Sequence, residues 1–420
     1  MRFIIVIITS GLLTAWPLLA DNWPAWRGPN GNGISQETGL PTEWNDQKNI
    51  LWKFKLPGMA GSTPCCWGER IFLTSEEGKD LMLLCIDTEG KLVWKQKVAA
   101  GEGRKVRSDE GNSSSPSPST DGEFVYVFMG TGDLCCYDFT GKQKWHVDIQ
   151  KKYGRFRIQF GMHMTPVLYQ DRLYLQLIHS GGAWVIAIDK KTGDEVWKVE
   201  RPSDGRDECE HSYASPTIWQ NDGKAFLIVH GNDYTTGHQL ADGKEIWRLG
   251  QLNPKDRYNN TLRFVATPLA TPELIIVPTA KNGQVVGLKP DAKGNVGPGS
   301  SFEKWRKARG TPDVPSPLYH DGLVYLCREN GVLNCLDAAT GQEIYQQRMH
   351  PARYRASPIY ADGKIYCTAR DGTVTVVKAG RQFESLAVNK LNDQISSSPI
   401  VANGRIYLRG YDNLYAIGFK

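Results

Sequence analysis

The sequence predicts an all-β fold, an eight-bladed β-propeller of four-stranded antiparallel blades, from three observations: a recurring phrase, eight Ser-Pro or Thr-Pro openings, and no helical periodicity of useful length. The phrase is CIDTEGKLVW (85–94), with near-copies CYDFTGKQKW (136–145), AIDKKTGDEVW (187–197), HQLADGKEIW (238–247) and CLDAATGQEIY (335–345). Its tryptophans at 94, 145, 197 and 247 fall 50 to 52 residues apart, room for four short strands and their turns.

Each unit starts at an opening: Thr63-Pro64, Ser117-Pro118, Thr165-Pro166, Ser215-Pro216, Thr267-Pro268, Ser316-Pro317, Ser357-Pro358 and Ser398-Pro399. A first turn follows, built from pairs such as Asp321-Gly322, Asp362-Gly363 and Asn403-Gly404, which accept positive φ and favour tight hairpins. The strands beside these turns, LVYLC (323–327), KIYCT (364–368) and RIYLR (405–409), are short and rich in β-branched and aromatic residues. In the phrase itself, Asp and Thr flank a turn whose Gly takes a conformation hostile to other residues, and the Trp on the next strand fills space between units. One such sheet cannot bury both its faces, whereas radial stacking covers them and leaves only short edges.

The last unit, Ser398-Pro399 to Lys420, has room for three strands, and ILWKF (50–54) has the character of the missing one. The N-terminal strand is therefore expected to close the ring in blade eight. Two units depart from the pattern: the fifth carries DAKGNVGPGSS (291–301) before Trp305, and the seventh replaces the Trp phrase by VVKAGRQFESL (376–386). A parallel β-helix has shorter rungs and no Trp signature, and tandem sandwiches need about 100 residues each.

Charge is nearly balanced, 50 Lys+Arg against 45 Asp+Glu, and the excess is spread along the chain, which argues against nucleic acid as a partner. At the N-terminus, Arg2, an apolar run from Phe3 to Leu13, and Pro17-Leu18-Leu19-Ala20 read as a secretory signal cleaved near Ala20, with a retained membrane anchor as the alternative. The mature chain is then a single domain, 21–420, periplasmic or secreted and expected to be a monomer, with no later segment long and apolar enough to span a bilayer. Nine cysteines show neither a disulfide framework nor zinc-ligand spacing.

Candidate site residues lie in the loops leading into each opening. These hold Arg104, Arg107, Arg155, Arg157, His163, Glu210, His211, Tyr213, Arg257, Arg263, Arg309, Arg353, Arg355, Asp393 and Gln394. Several guanidinium forks converging on one funnel suit a carboxylate, sulfate or phosphate. The alternative is that each Arg packs its stem over a neighbouring loop or pairs with Asp and Glu. Glu210-His211-Ser212-Tyr213 is the densest polar cluster, open to acid–base chemistry or to a structural role. The eight histidines never show a two-His helical spacing, so no metal is expected.

The phrase D-x-x-T-G-K-x-x-W, the openings and the count of eight resemble the pyrroloquinoline quinone (PQQ) repeat family of propellers, over essentially the whole mature chain. NWPAWRGPNGNGIS (22–35) is also similar to the start of exported PQQ-like propellers. That family includes quinoprotein alcohol dehydrogenases and the assembly lipoprotein BamB, so the resemblance implies the fold but leaves the activity open. The dehydrogenases place a disulfide between neighbouring cysteines against the quinone. Here Cys65-Cys66 is followed by Trp67-Gly68-Glu69, without the family's Asp and Arg-Gly, and Cys135-Cys136 stands where other units carry ordinary apolar residues. Adjacent strand residues point to opposite faces, so buried thiols are expected at both pairs. No stretch matches the family's calcium ligands, catalytic Asp or haem attachment, and Asp21 stands where a lipoprotein needs cysteine. The expectation is a non-catalytic exported propeller that binds a protein partner or an anionic small molecule or glycan through its loop face, with no cofactor. A PQQ-dependent dehydrogenase holding calcium and a BamB-like assembly scaffold are the alternatives.

Overall fold

The computed structural model describes residues 22–101 and 111–420. The leader read in residues 1–20, and Arg104 and Arg107, lie outside the described residues. Eight antiparallel sheets follow one another in chain order, each beginning just after a Ser-Pro or Thr-Pro opening. In blade one the strands are Cys65–Trp67, Arg70–Glu77, Asp80–Asp87 and Leu92–Ala100, each paired with the next. Blade eight has Ile400–Ala402, Arg405–Arg409 and Asn413–Ile417, and its outermost strand is Ile50–Lys55 from the other end of the chain. The closing register sets Trp52 against Ala416 and Phe54 against Leu414. Among the described residues the only α-helix is Ile149–Tyr153, capped by the Asp148 carboxylate.

Two features of the recurring phrase prove to be halves of one contact. The outer-strand indole of each regular blade lies on the turn glycine of the next blade and donates to a carbonyl of that turn. Trp52 Nε1 reaches Thr88 O at 2.7 Å, Trp94 reaches Phe139 O at 2.8 Å, Trp145 reaches Lys190 O at 3.0 Å, Trp197 reaches Leu240 O at 2.9 Å and Trp305 reaches Ala338 O at 2.9 Å. Gly141 has φ 85°, and a Cβ there would stand 2.9 Å from the Trp94 ring, so the position needs glycine for conformation and for space. Within the blade the indole covers a small residue of the third strand: Cys85 under Trp94, Cys136 under Trp145, Ala187 under Trp197, Gly237 under Trp247. Cysteine serves at these positions as a small apolar residue.

The two departing units are repaired from elsewhere. Gly294–Val296, inside the insertion of unit five, adds a parallel fifth strand to the edge of blade four, pairing with Glu245–Leu249. In blade seven Ala387 takes the indole register, and Trp44 of the N-terminal segment stacks on Tyr366 in its place, ring centroids 6.3 Å apart.

That segment also crosses one end of the hub. Trp23 exchanges backbone hydrogen bonds with Cys66 of blade one, Pro24 O accepts from Thr120 N of blade two, and Gly33 and Ser35 pair with Tyr360 of blade seven. Between them Arg27, buried, donates to Pro317 O at 2.5 Å, Pro358 O at 3.1 Å and Asn32 O at 3.0 Å. Burial pulls its guanidinium down to about 9, so it stays charged at neutral pH against these three carbonyls.

Candidate functional site

The openings do more than start strands: their hydroxyls form a closed belt around the axis. Each backbone N–H of one opening donates to the hydroxyl of the next: Thr63 to Ser117 at 2.9 Å, Ser117 to Thr165 at 3.0 Å, Thr165 to Ser215 at 3.0 Å, Ser215 to Thr267 at 2.9 Å. The belt continues from Thr267 to Ser316 at 3.0 Å, Ser316 to Ser357 at 2.9 Å and Ser357 to Ser398 at 3.0 Å, and Ser398 returns to Thr63 at 3.1 Å. The proline after each hydroxyl has no N–H and cannot compete for it. Each hydroxyl oxygen is an acceptor here and keeps its own proton.

These eight residues ring a cavity of about 180 Å³, bounded also by Trp26 of the crossing segment and by Phe160, His163, Tyr213, Arg263, Val265, Val314, Arg355, Ser396 and Tyr411. Arg263 lies over the Phe160 ring at 4.9 Å and pairs with Glu208 at 3.2 Å. Arg355 is 3.7 Å from Glu329, which also accepts from Arg353 Nε at 2.6 Å. Burial works to raise Glu329, but the hydrogen bond from Arg353 and the charges of Arg355 and Arg353 hold it below the usual carboxylate range. Beside it Asp313 is pushed up, by burial first and then by the charge of Glu329.

Of the candidates read from sequence, the structure brings Arg263, Arg355, His163 and Tyr213 into one cavity wall. Arg155 and Arg157 are exposed on the loop after the short helix, and Arg353 is an exposed partner of Glu329. Arg257 and Arg309 line a separate groove between blades four and five. Glu210 and His211 are outside the cavity lining; His211 Nε2 is 2.9 Å from Ser180 Oγ, and its ring meets Tyr213 edge-on. Gln394 is exposed, and its carbonyl accepts from Tyr411 N. Asp393 accepts from the backbone N–H groups of Tyr411, Asp412 and Asn413 and from the Tyr415 hydroxyl, which staples the second turn of blade eight.

Electrostatically the wall is a set of donors rather than a proton-transfer pair. Burial lowers His163 to about 4 and raises Tyr213 to about 12, so at neutral pH the ring is uncharged and the phenol keeps its proton. Among the described residues His163 Nε2 has no hydrogen-bond partner. Tyr213 accepts from Phe160 N at 3.3 Å.

The described lining of the cavity holds no carboxylate and no cysteine. Among the described residues no group of three His, Cys, Asp or Glu side chains is placed to hold a metal ion. Cys65 and Cys66 turn into two different cores, as do Cys135 and Cys136, and neither pair lines the cavity. All nine cysteines are buried thiols.

Sequence patterns do not reveal Trp26, Phe160, Val265, Val314, Ser396 and Tyr411 as part of this wall. Trp26 stands in the quoted NWPAWRGPN stretch, but only the crossing of the hub brings it beneath loops hundreds of residues away.

No curated protein matches the sequence. Solved structures with the same fold include BamB from Moraxella catarrhalis, at 14% identity over 88% of this chain and 97% of that one, TM-score 0.62. A quinohemoprotein alcohol dehydrogenase from Comamonas testosteroni is 13% identical over 95% and 81%, TM-score 0.71, and a europium-containing methanol dehydrogenase 12% identical over 94% and 90%, TM-score 0.73. Likeness at this level shows the fold alone. The family model described as outer membrane protein assembly factor BamB matches residues 79–286 and 281–382, which hold four of the five regular indole–glycine contacts, and the chain belongs to that family.

Proposed function

We propose that this protein is an exported, non-catalytic binding protein that receives an acidic group of its partner at the axial mouth. Export rests on the leader pattern of residues 1–20. The observation that carries the binding reading is the composition of the cavity: a belt of eight hydroxyls that keep their protons, with the Arg263 and Arg355 guanidinium groups beside it. Such donors match a carboxylate or sulfate oxygen. Trp26, Phe160, Tyr213 and Tyr411 supply flat apolar surface for the rest of the ligand. A protein partner is the second reading, favoured by membership in a family described by an assembly factor.

Calorimetric titration tests the proposal, comparing carboxylated and sulfated glycans with neutral ones at two salt concentrations. Charged ligands are expected to bind more tightly, with affinity falling as salt rises and about tenfold weaker for Arg263→Ala with Arg355→Ala. Equal affinity for charged and neutral ligands, or an unchanged double variant, contradicts it. A parallel arm with PQQ and calcium, read by quinone absorbance and dye reduction, is expected to give neither uptake nor turnover.

A further inference from the structure

The groove between blades four and five has a different character from the axial cavity. Its volume is about 540 Å³, and Arg257, Lys281 and Arg309 line it with no carboxylate among the lining residues. Both arginines are exposed, and among the described residues neither guanidinium has a side-chain partner; Lys281 Nζ donates to Thr261 Oγ1 at 2.7 Å. Two cations elsewhere on the loop face are compensated, Arg263 by Glu208 and Arg353 by Glu329. Three like charges left together around one concavity repel each other until an anion enters.

The groove's walls are fixed before any ligand arrives. Gln284 Nε2 donates to Gln251 O at 3.1 Å and Leu252 O at 3.3 Å, and Arg306 Nη1 holds Gln284 Oε1 at 2.7 Å while its other nitrogens bind Glu303. Buried Asn253 ties the loop to Asp233 and to Asn259 O, both at 3.0 Å. The inserted strand Gly294–Val296 anchors the near side, with Gly250 N donating to Val296 O at 2.9 Å. Gln251, Lys281 and Asn282 hold φ of 57°, 50° and 61°, left-handed conformations uncommon for residues other than glycine. This is also a joint where the repeat is broken: among the described residues Trp247 Nε1 has no partner, since the next blade lacks the regular turn.

We propose that this groove is an oxyanion site, separate from the axial cavity, that takes a phosphate- or carboxylate-bearing ligand on the Arg257 and Arg309 forks with Lys281 as a third point of charge. Planar guanidinium groups pair two oxygens at once, and a lysine adds attraction without directional demand.

Titration of the full chain with inorganic phosphate and, separately, with citrate distinguishes the two ligand sources. Binding of either probe is expected, weakened about tenfold or more by Arg257→Ala with Arg309→Ala and partly kept by Arg257→Lys with Arg309→Lys. In a chain already carrying Arg263→Ala with Arg355→Ala, binding of phosphate or citrate is expected to persist and to weaken about tenfold when Arg257→Ala with Arg309→Ala is added, which separates failure here from failure of the axial reading. Unchanged thermal midpoints verify that the variants fold, as expected for exposed side chains. No binding of either probe by the unaltered chain, or full binding by the Arg257→Ala, Arg309→Ala variant, overturns the proposal.

Discussion

The ring is held at two radii, and the two differ in how strictly they repeat. Near the axis the hydroxyl belt is unbroken across all eight blades, including the joint where the chain's two ends meet. Farther out, the indole contact is regular at five joints, carried by Trp52, Trp94, Trp145, Trp197 and Trp305. At the others Trp247 finds no carbonyl, Tyr345 packs on Phe383 while the Tyr325 hydroxyl accepts from Gly380 N, and Ala387 has no ring at all. The inner contact needs one hydroxyl and one N–H at fixed spacing and tolerates only Ser or Thr. The outer one is mostly area, which Trp44 or an added strand can supply, so variation and the basic groove collect there.

Removing a regular indole is expected to have the largest effect. Trp94→Ala or Trp305→Ala should destabilise the fold by about 3–5 kcal/mol, read from urea unfolding midpoints at constant slope. Tyr345→Ala, at a joint already altered, should cost distinctly less. Thr165→Val keeps shape at the belt but leaves the buried Ser117 N–H without its acceptor, an expected loss of about 1–3 kcal/mol, whereas Thr165→Ser should be nearly neutral. Equal costs for Thr165→Val and Thr165→Ser would remove the belt from the account.

Acid sharpens the comparison on the side of blades three to five. Burial lowers His179 to about 4, His230 to about 3 and His238 to about 4, against about 6.5 for an unfolded histidine. Below pH 6.5 the unfolded chain takes up protons that these folded rings refuse, so stability should fall from about pH 6.5 to about pH 3. His230 is stacked on Phe264 at 4.5 Å, at one of the three joints that lack the outer indole contact. A His238→Asn variant should show a shallower decline. The smallest expected change in stability, within about 0.5 kcal/mol, belongs to Arg257→Ala at the exposed groove.

Much of this architecture was legible because each blade repeats its own local signals. Ser398-Pro399 with too little chain after it, and ILWKF before the first opening, together implied the closing strand now seen between Ile50–Lys55 and Asn413–Ile417. The belt was not legible, since its bonds join residues 41 to 54 apart, and 335 at the closure, with nothing local to mark them. Trp94 and Gly141 were both visible as repeated residues, but the contact between them crosses blades. The insertion 291–301 read as a defect of unit five and is instead an edge strand of blade four. For the arginines, position in a loop did not predict direction: Arg263 and Arg355 line the cavity, while Arg257 and Arg309 line another groove.

Amide hydrogen exchange at the two ends of the ring tests the continuous belt most directly. The Ser398 N–H, which crosses from the last blade to Thr63 of the first, should be protected as strongly as the Ser215 N–H in the middle of the chain. Exchange at Ser398 orders of magnitude faster than at Ser215 would mean that the hub is open where the termini meet.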